Sequence, residues 1–174
     1  MKRTLVQTVV AAALALAPSH CGKAPTPEPP TPPPLKGPTP AEKMGTRLIE
    51  AAEEGDLDRV RSCIEKGVDV NAKDKSGWTA LHHAASKGRR DMAALLLDKG
   101  AAVDARDNYK STPLIWAANY GRKDVVVLLI GKGADVNAVN VGKKSSLDTA
   151  VEGGHKEVAE LLRKHGAASG GKTK

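Results

Sequence analysis

Apolar and polar positions along this chain recur with a fixed phase. Leu48, Leu81, Leu114 and Leu147 lie 33 residues apart, as do Ala51, Ala84, Ala117 and Ala150. Val70, Val103 and Val136 keep the same spacing. So do two glycine series: Gly55, Gly88, Gly121 and Gly154, and Gly67, Gly100, Gly133 and Gly166. No insertion breaks the phase, and a period of this length marks stacked small units. Each unit predicts two short helices. The first starts at Thr79, Thr112 or Ser145, hydroxyls that cap free helix N–H groups, and Pro113 fits a first helical turn. Gly88 and its equivalents end it, because the chain needs positive φ there. A second helix follows with apolar positions such as Val125, Val126, Leu128 and Leu129, ends at Gly100 or Gly133, and runs into an Asp/Asn-rich turn. Asn71, Asp104 and Asn137 are expected to hydrogen-bond the local backbone of that turn. Cys63 aligns with Leu96 and Leu129 and is expected to be a small core hydrophobe.

Such a unit cannot bury its apolar face alone. Stacking closes one continuous core, with more polar units at the ends. The ends fit: Glu50, Glu53 and Glu54 lie on the first helix, and Glu160 and Arg163 stand where inner units have Val127 or Ala94 and Leu97 or Ile130.

The segment Gly77 to Ala85 (GWTALHHAA) resembles the ankyrin pattern G-x-T-P-L-H-x-A-A, and Lys110 to Ala118 (KSTPLIWAA) resembles it with Lys110 for Gly and Ile115 for His. Leu95 to Ala101 and Gly133 to Ala138 match the end of the second helix and the next turn. The resemblance covers about residues 44–168. It implies an all-α ankyrin-repeat solenoid of four helix-turn-helix units, joined by short β-hairpin-like turns. The units fall at about 44–73, 74–106, 107–139 and 140–168. It also implies that His82 braces a turn and that a monomer binds a protein partner through a concave face.

The ends read differently. Lys2 and Arg3 precede a mostly apolar run, Leu5 to Ala17, which is too short to span a bilayer and has the layout of a secretory signal. Residues 1–20 are assigned to it. Cleavage before His20 is one outcome. The other is lipidation of Cys21, although Pro18 and His20 depart from the lipoprotein pattern. Residues 21–43 form a Pro-rich, disordered linker, with nine Pro among residues 24–40. An extended stretch of that kind reaches on the order of 50 Å. The expected location is therefore exported: periplasmic, or an outer-membrane lipoprotein. Gly166 to Thr173 spells the phosphate-loop pattern, but it follows a helix instead of a strand and no helix comes after, so it reads as a chance match in a flexible tail, 169–174.

Charge adds little. The net charge is +7, but residues 41–168 carry 21 basic and 19 acidic side chains, so the body is nearly balanced. That gives no footprint for nucleic acid. Two Cys exclude a disulfide scaffold. Neighbouring His82 and His83 do not share a helix face as a metal pair would, and no nucleophile has a base at a plausible spacing. No metal, cofactor or enzyme activity is expected.

The aromatics change the picture more. There is no Phe, and Trp78, Tyr109, Trp116 and Tyr120 all fall at positions free of the repeat pattern in the two inner units. The candidate partner-binding set is Lys75, Ser76, Trp78, His83, Asn108, Tyr109, Ser111, Trp116, Asn119 and Tyr120, with Ser86 and Lys87 beside it. Trp and Tyr join large area to a polar handle, which suits interface anchors. The leading expectation is a non-enzymatic binding module. A regulator or protective partner of one exported enzyme is the alternative.

Overall fold

The computed structural model describes residues 40–171. The apolar run, the Pro-rich stretch and Cys21 lie outside them. The described residues form eight helices in four pairs: α1 Pro40–Glu54 with α2 Leu57–Glu65, α3 Ala80–Lys87 with α4 Arg90–Asp98, α5 Pro113–Asn119 with α6 Lys123–Gly131, and α7 Ser146–Glu152 with α8 Lys156–Lys164. There is no β-strand among them, only an isolated bridge between Val139 and Ser145. Helix α1 starts at Pro40, earlier than residue 44, with proline at the first helical position, where its missing N–H costs nothing.

Two layers result. The first helices pack in the order α1, α3, α5, α7, and α4 packs on α6 and α6 on α8. Alanine sets the spacing of the first layer: Ala51, Ala52, Ala84, Ala85, Ala117, Ala118 and Ala150 are all fully buried. Leu48, Leu81, Leu96, Leu114, Leu129 and Leu162 fill the space between layers. Val151, equivalent to the buried Ala118, is 52% exposed, because no other unit among the described residues covers that side of α7. The same end effect corrects the reading of Cys63. It packs against the core but is only half-buried, and opens onto a cleft of about 380 Å³ lined by Met44, Arg47 and Arg59.

Hydrogen bonds tie each unit to the next. Arg89 donates to the Ala52 and Glu53 carbonyls, Arg122 Nε to the Ser86 carbonyl at 3.0 Å, and His155 Nε2 lies 3.0 Å from the Asn119 carbonyl. These residues stand 33 apart, and each satisfies carbonyls left open at the end of the preceding first helix. Gly121, at φ 66°, shows what this demands, since a Cβ there would collide with the His155 ring. The series Asn71, Asp104 and Asn137 also bonds across units and not locally. Their side chains accept from the N–H groups of Ala102, Asp135 and Ala168, each 31 residues on. The local turn bonds are instead donated by the Asn71 and Asn137 N–H groups to the Asp69 and Asp135 carboxylates.

Residues 169 and 170, expected to begin a flexible tail, are docked. Ser169 Oγ and Gly170 N–H donate to Asp148 at 2.6 and 2.8 Å, and Ser145 N–H donates to the same carboxylate at 2.8 Å. Burial works against ionisation of Asp148, but these donors and the Ser145 hydroxyl outweigh it and hold the carboxyl below the usual range. The Asp148 carboxylate thus takes the Gly170 N–H that a phosphate would need, and Lys172 and Thr173 of the Gly-rich run lie outside the described residues.

Two turns carry a strained lysine. Gly77, Lys110 and Lys143 occupy one repeat position, at φ 78°, 58° and 56°. A side chain in this left-handed region costs about 1 kcal/mol or more relative to glycine, offset in part by the greater freedom of unfolded glycine. Lys110→Gly and Lys143→Gly are therefore expected to stabilise the fold by about 0.5–1 kcal/mol each. Thermal unfolding should show Tm rising by a few degrees, and a fall in Tm would reject the strain account.

Candidate protein-binding face

The face is built on the connecting turns, and one acidic or amide side chain shapes each. Asp74 Oδ1 accepts the N–H groups of Ser76 and Trp78 at 2.8 and 2.9 Å. Asp107 Oδ1 accepts those of Tyr109 and Ser111, both at 2.8 Å. Asn140 Oδ1 accepts those of Gly142 and Lys144 at 2.9 and 3.1 Å. The turns are then laced tip to tip, Asn108 N–H to the Ser76 carbonyl at 3.1 Å and Val141 N–H to the Tyr109 carbonyl at 2.9 Å. The 74, 107, 140 series recurs at the same period as the glycines, yet sequence reasoning passes over it, because polar residues in a turn look interchangeable.

Asp107 does a second job. Its Oδ2 accepts the indole N–H of Trp116 at 2.9 Å, so the acid that shapes the turn also sets the ring's orientation. Trp116 lies 4.8 Å from Trp78, ring centre to ring centre, and 6.1 Å from Tyr120, the latter nearly parallel at 17°. Trp78 lies 4.9 Å from His83. The structure thus brings Trp78, His83, Trp116 and Tyr120 into one stack across units two and three. Centroid separations of this size and tilted planes are those that aromatic pairs favour. The His83 Nε2 is buried, 3.5 Å from Asp74 Oδ2, and has no hydrogen-bond partner.

Two shallow grooves flank the rings. One, of about 240 Å³, is lined by Glu53, Trp78, His83, Lys87 and Tyr120. The other, of about 280 Å³, is lined by Trp116, Asn119, Lys144 and Glu152. Lys75, Ser76 and Asn108 are exposed at the turn tips, and the Asn108 amide donates to the Lys75 carbonyl at 2.9 Å. Tyr109 is 63% exposed at a tip and joins no ring contact. Ser111, expected on the surface, is 3% exposed. Its N–H and carbonyl are both committed to hydrogen bonds, and the turn folds over it. Ser86 is buried as well, its hydroxyl donating to the His83 carbonyl at 3.1 Å. Among the described residues no group of three or more His, Cys, Asp or Glu side chains could hold a metal ion.

His82 supports this face from below. Thr79 N–H donates to His82 Nδ1 at 3.1 Å, so the neutral ring carries its hydrogen on Nε2, which donates to the Ser111 carbonyl at 3.2 Å. The imidazole thereby caps α3 and ties unit two to unit three. Burial pushes its pKa below the ordinary value of about 6.5, against the pull of the Ser111 carbonyl and Asp107. The sign of the linkage is clear. Below about pH 6.5 the unfolded chain takes up a proton that the native ring refuses. The contribution is full above about pH 6.5 and falls as pH drops toward the native value, by at most about 1.4 kcal/mol per pH unit. Urea titrations between about pH 7.5 and 5.5 should show that fall in the natural chain. His82→Gln, which keeps an acceptor for the Thr79 N–H, should flatten it. An undiminished fall in the variant assigns the effect to another group.

Comparison with known proteins agrees with this architecture. A family model described as ankyrin repeats, three copies, matches residues 48–140. A stretch of 40 residues is 41% identical to a vapyrin-like protein of Medicago truncatula, covering 23% of this chain and 9% of that one. Another of 47 residues is 36% identical to a Rickettsia felis protein named as an ankyrin repeat protein, covering 27% of this chain and 71% of that one. The chain thus aligns with under a tenth of the Medicago protein's length.

Proposed function

Because this chain belongs to the ankyrin-repeat family, we infer that it is a non-enzymatic protein-binding module acting as a monomer. Its partner docks on the face formed by the turn tips and the first helices of units two and three. One observation carries this reading: the side chains that the core does not need, Trp78, Trp116 and Tyr120, are gathered into a single half-exposed stack instead of being scattered. Solvent-accessible rings held in fixed orientation have the composition and the rigidity of an interface hot spot. The same reading places the protein outside the cytoplasm, as a periplasmic protein or an outer-membrane lipoprotein with the Pro-rich stretch as its spacer. That part rests on the basic residues and apolar run at the N-terminus and on Cys21.

The test is affinity capture from a native envelope extract with the natural chain and with a Trp78→Ala/Trp116→Ala variant side by side. A partner held by the first and lost by the second supports the face. A partner held equally by both places binding elsewhere. Intact-mass analysis of the mature chain reads the other part: a lipid on Cys21 or a free His20 amine supports export, and an unprocessed Met1 chain rejects it.

A further inference from the structure

The turns that frame the ring stack are electrostatically one-sided. Their acids point inward: the Asp74 and Asp107 carboxylates accept hydrogen bonds from their own turns, and Asp107 is only 6% exposed. Their cations point outward. Lys75, Lys110 and Lys143 are exposed, and among the described residues their ammonium groups have no hydrogen bond or ion pair. Lys73 and Arg106 add two more positive charges at the same edge, spent on carbonyls of the next turn at 2.8 and 3.2 Å and not neutralised by a carboxylate. Lys110 and Lys143 keep their charge where the backbone favours glycine. On the helix side both signs meet: Glu53 shares one groove with Lys87 and Arg122, and Glu152 in the other is paired with Lys144 at 2.6 Å.

We propose that the occupant of this face is an acidic, extended protein segment, its carboxylates along the turn tips and its apolar or aromatic side chains on Trp78, Trp116 and Tyr120. This rests on the protein-binding reading above. Alternate side chains of an extended segment point to opposite sides, so one strand can present acid to the lysine edge and apolar groups to the rings. A nucleic acid fits less well. It carries charge at every nucleotide, whereas the unpaired lysines stand only at the turn tips and the grooves beyond the rings are of mixed sign. Charge pairs at such a rim steer encounter and select partners more than they add affinity, while the rings supply the affinity.

The chain's two tryptophans both lie in the stack, so their emission reports occupancy directly. The experiment is selection of a random-peptide phage library on the full chain, followed by fluorescence titration of the recovered peptides. The expected peptides are net negative with at least one large apolar side chain. They should shift the tryptophan emission, weaken with added salt, and lose about tenfold or more in affinity for a Lys75→Glu/Lys110→Glu/Lys143→Glu variant. A neutral or basic consensus, or an acidic one indifferent to the lysine reversal, overturns the acidic partner and leaves the face standing. Peptides indifferent to Trp78→Ala/Trp116→Ala overturn the face itself. Tighter binding of a single-stranded oligo-dT, abolished by the lysine reversal, overturns the proposal in favour of nucleic acid.

Discussion

Replacing Asp107 with Ala is expected to lower the unfolding free energy by about 3 kcal/mol and to release Trp116 at the same time. The carboxylate accepts three donors, from Tyr109, Ser111 and the Trp116 indole. Ser111 is buried, so its N–H has no water to turn to once the acceptor is gone. A buried donor left unmade costs about 1–3 kcal/mol, and hydrogen bonds to a charged group lie at the upper end of their range. Asp107→Asn separates the two jobs. Asn140 already shapes the next turn with an amide oxygen accepting two backbone N–H groups, so Asn at 107 should keep the turn. It presents NH₂ or a poorly placed oxygen to the indole, and the loss should be nearer 1 kcal/mol. Urea unfolding followed by far-UV circular dichroism gives the stability, and tryptophan emission gives the ring. If Ala and Asn cost the same, the turn bonds contribute nothing measurable and the account of this turn is wrong.

The double variant Trp78→Ala/Trp116→Ala should reduce affinity for the captured partner by at least about 3 kcal/mol, more than a hundredfold. Each ring alone should cost about 2 kcal/mol. The two losses should not add fully, because the rings touch at 4.8 Å and removing one leaves the other less well held. Both rings are half-buried, so each truncation also lowers stability, and binding must be measured by calorimetry well below the unfolding midpoint of the variants. Tyr109→Ala is the internal comparison. That ring stands apart from the stack, and a loss equal to those of the tryptophans would move the centre of the interface to the turn tips.

Much of the fold is legible in the repeat phase. Thr79, Thr112 and Ser145 do precede first helices, and Gly88 does close α3 in a left-handed conformation. What a period cannot show is the partner of a side chain. Asn71 recurs at the same phase as Asp104 and Asn137, yet nothing in that phase says that the bond leads to the following unit. The 89, 122, 155 series is equally visible and equally mute, since two of its members are arginines of a kind usually found in solvent. Candidate site residues are legible by subtraction, as positions the pattern leaves free. Subtraction finds Trp78, Trp116 and Tyr120, but it also takes Ser111, because being free of a pattern is different from being exposed. Asp107 escapes for the opposite reason. It sits in a polar turn, where an acid draws no attention until the indole beside it is in view.

The unit-to-unit bonds have a kinetic consequence. Apart from Ser146 to the Val136 carbonyl, ten residues back, side-chain hydrogen bonds joining neighbouring units run from a separation of 29 residues, His82 to Ser111, to 37, Arg89 to Ala52. Closing a chain loop costs entropy that grows with loop length, and here each closure spans about one unit. Contact order stays low as the stack lengthens, so assembly can zip from any formed pair towards either end. A nascent or threaded chain need not wait for its last residues, because each helix pair finds its neighbour as soon as it emerges. Val151, bare on α7, is the exposed edge of that zipper among the described residues.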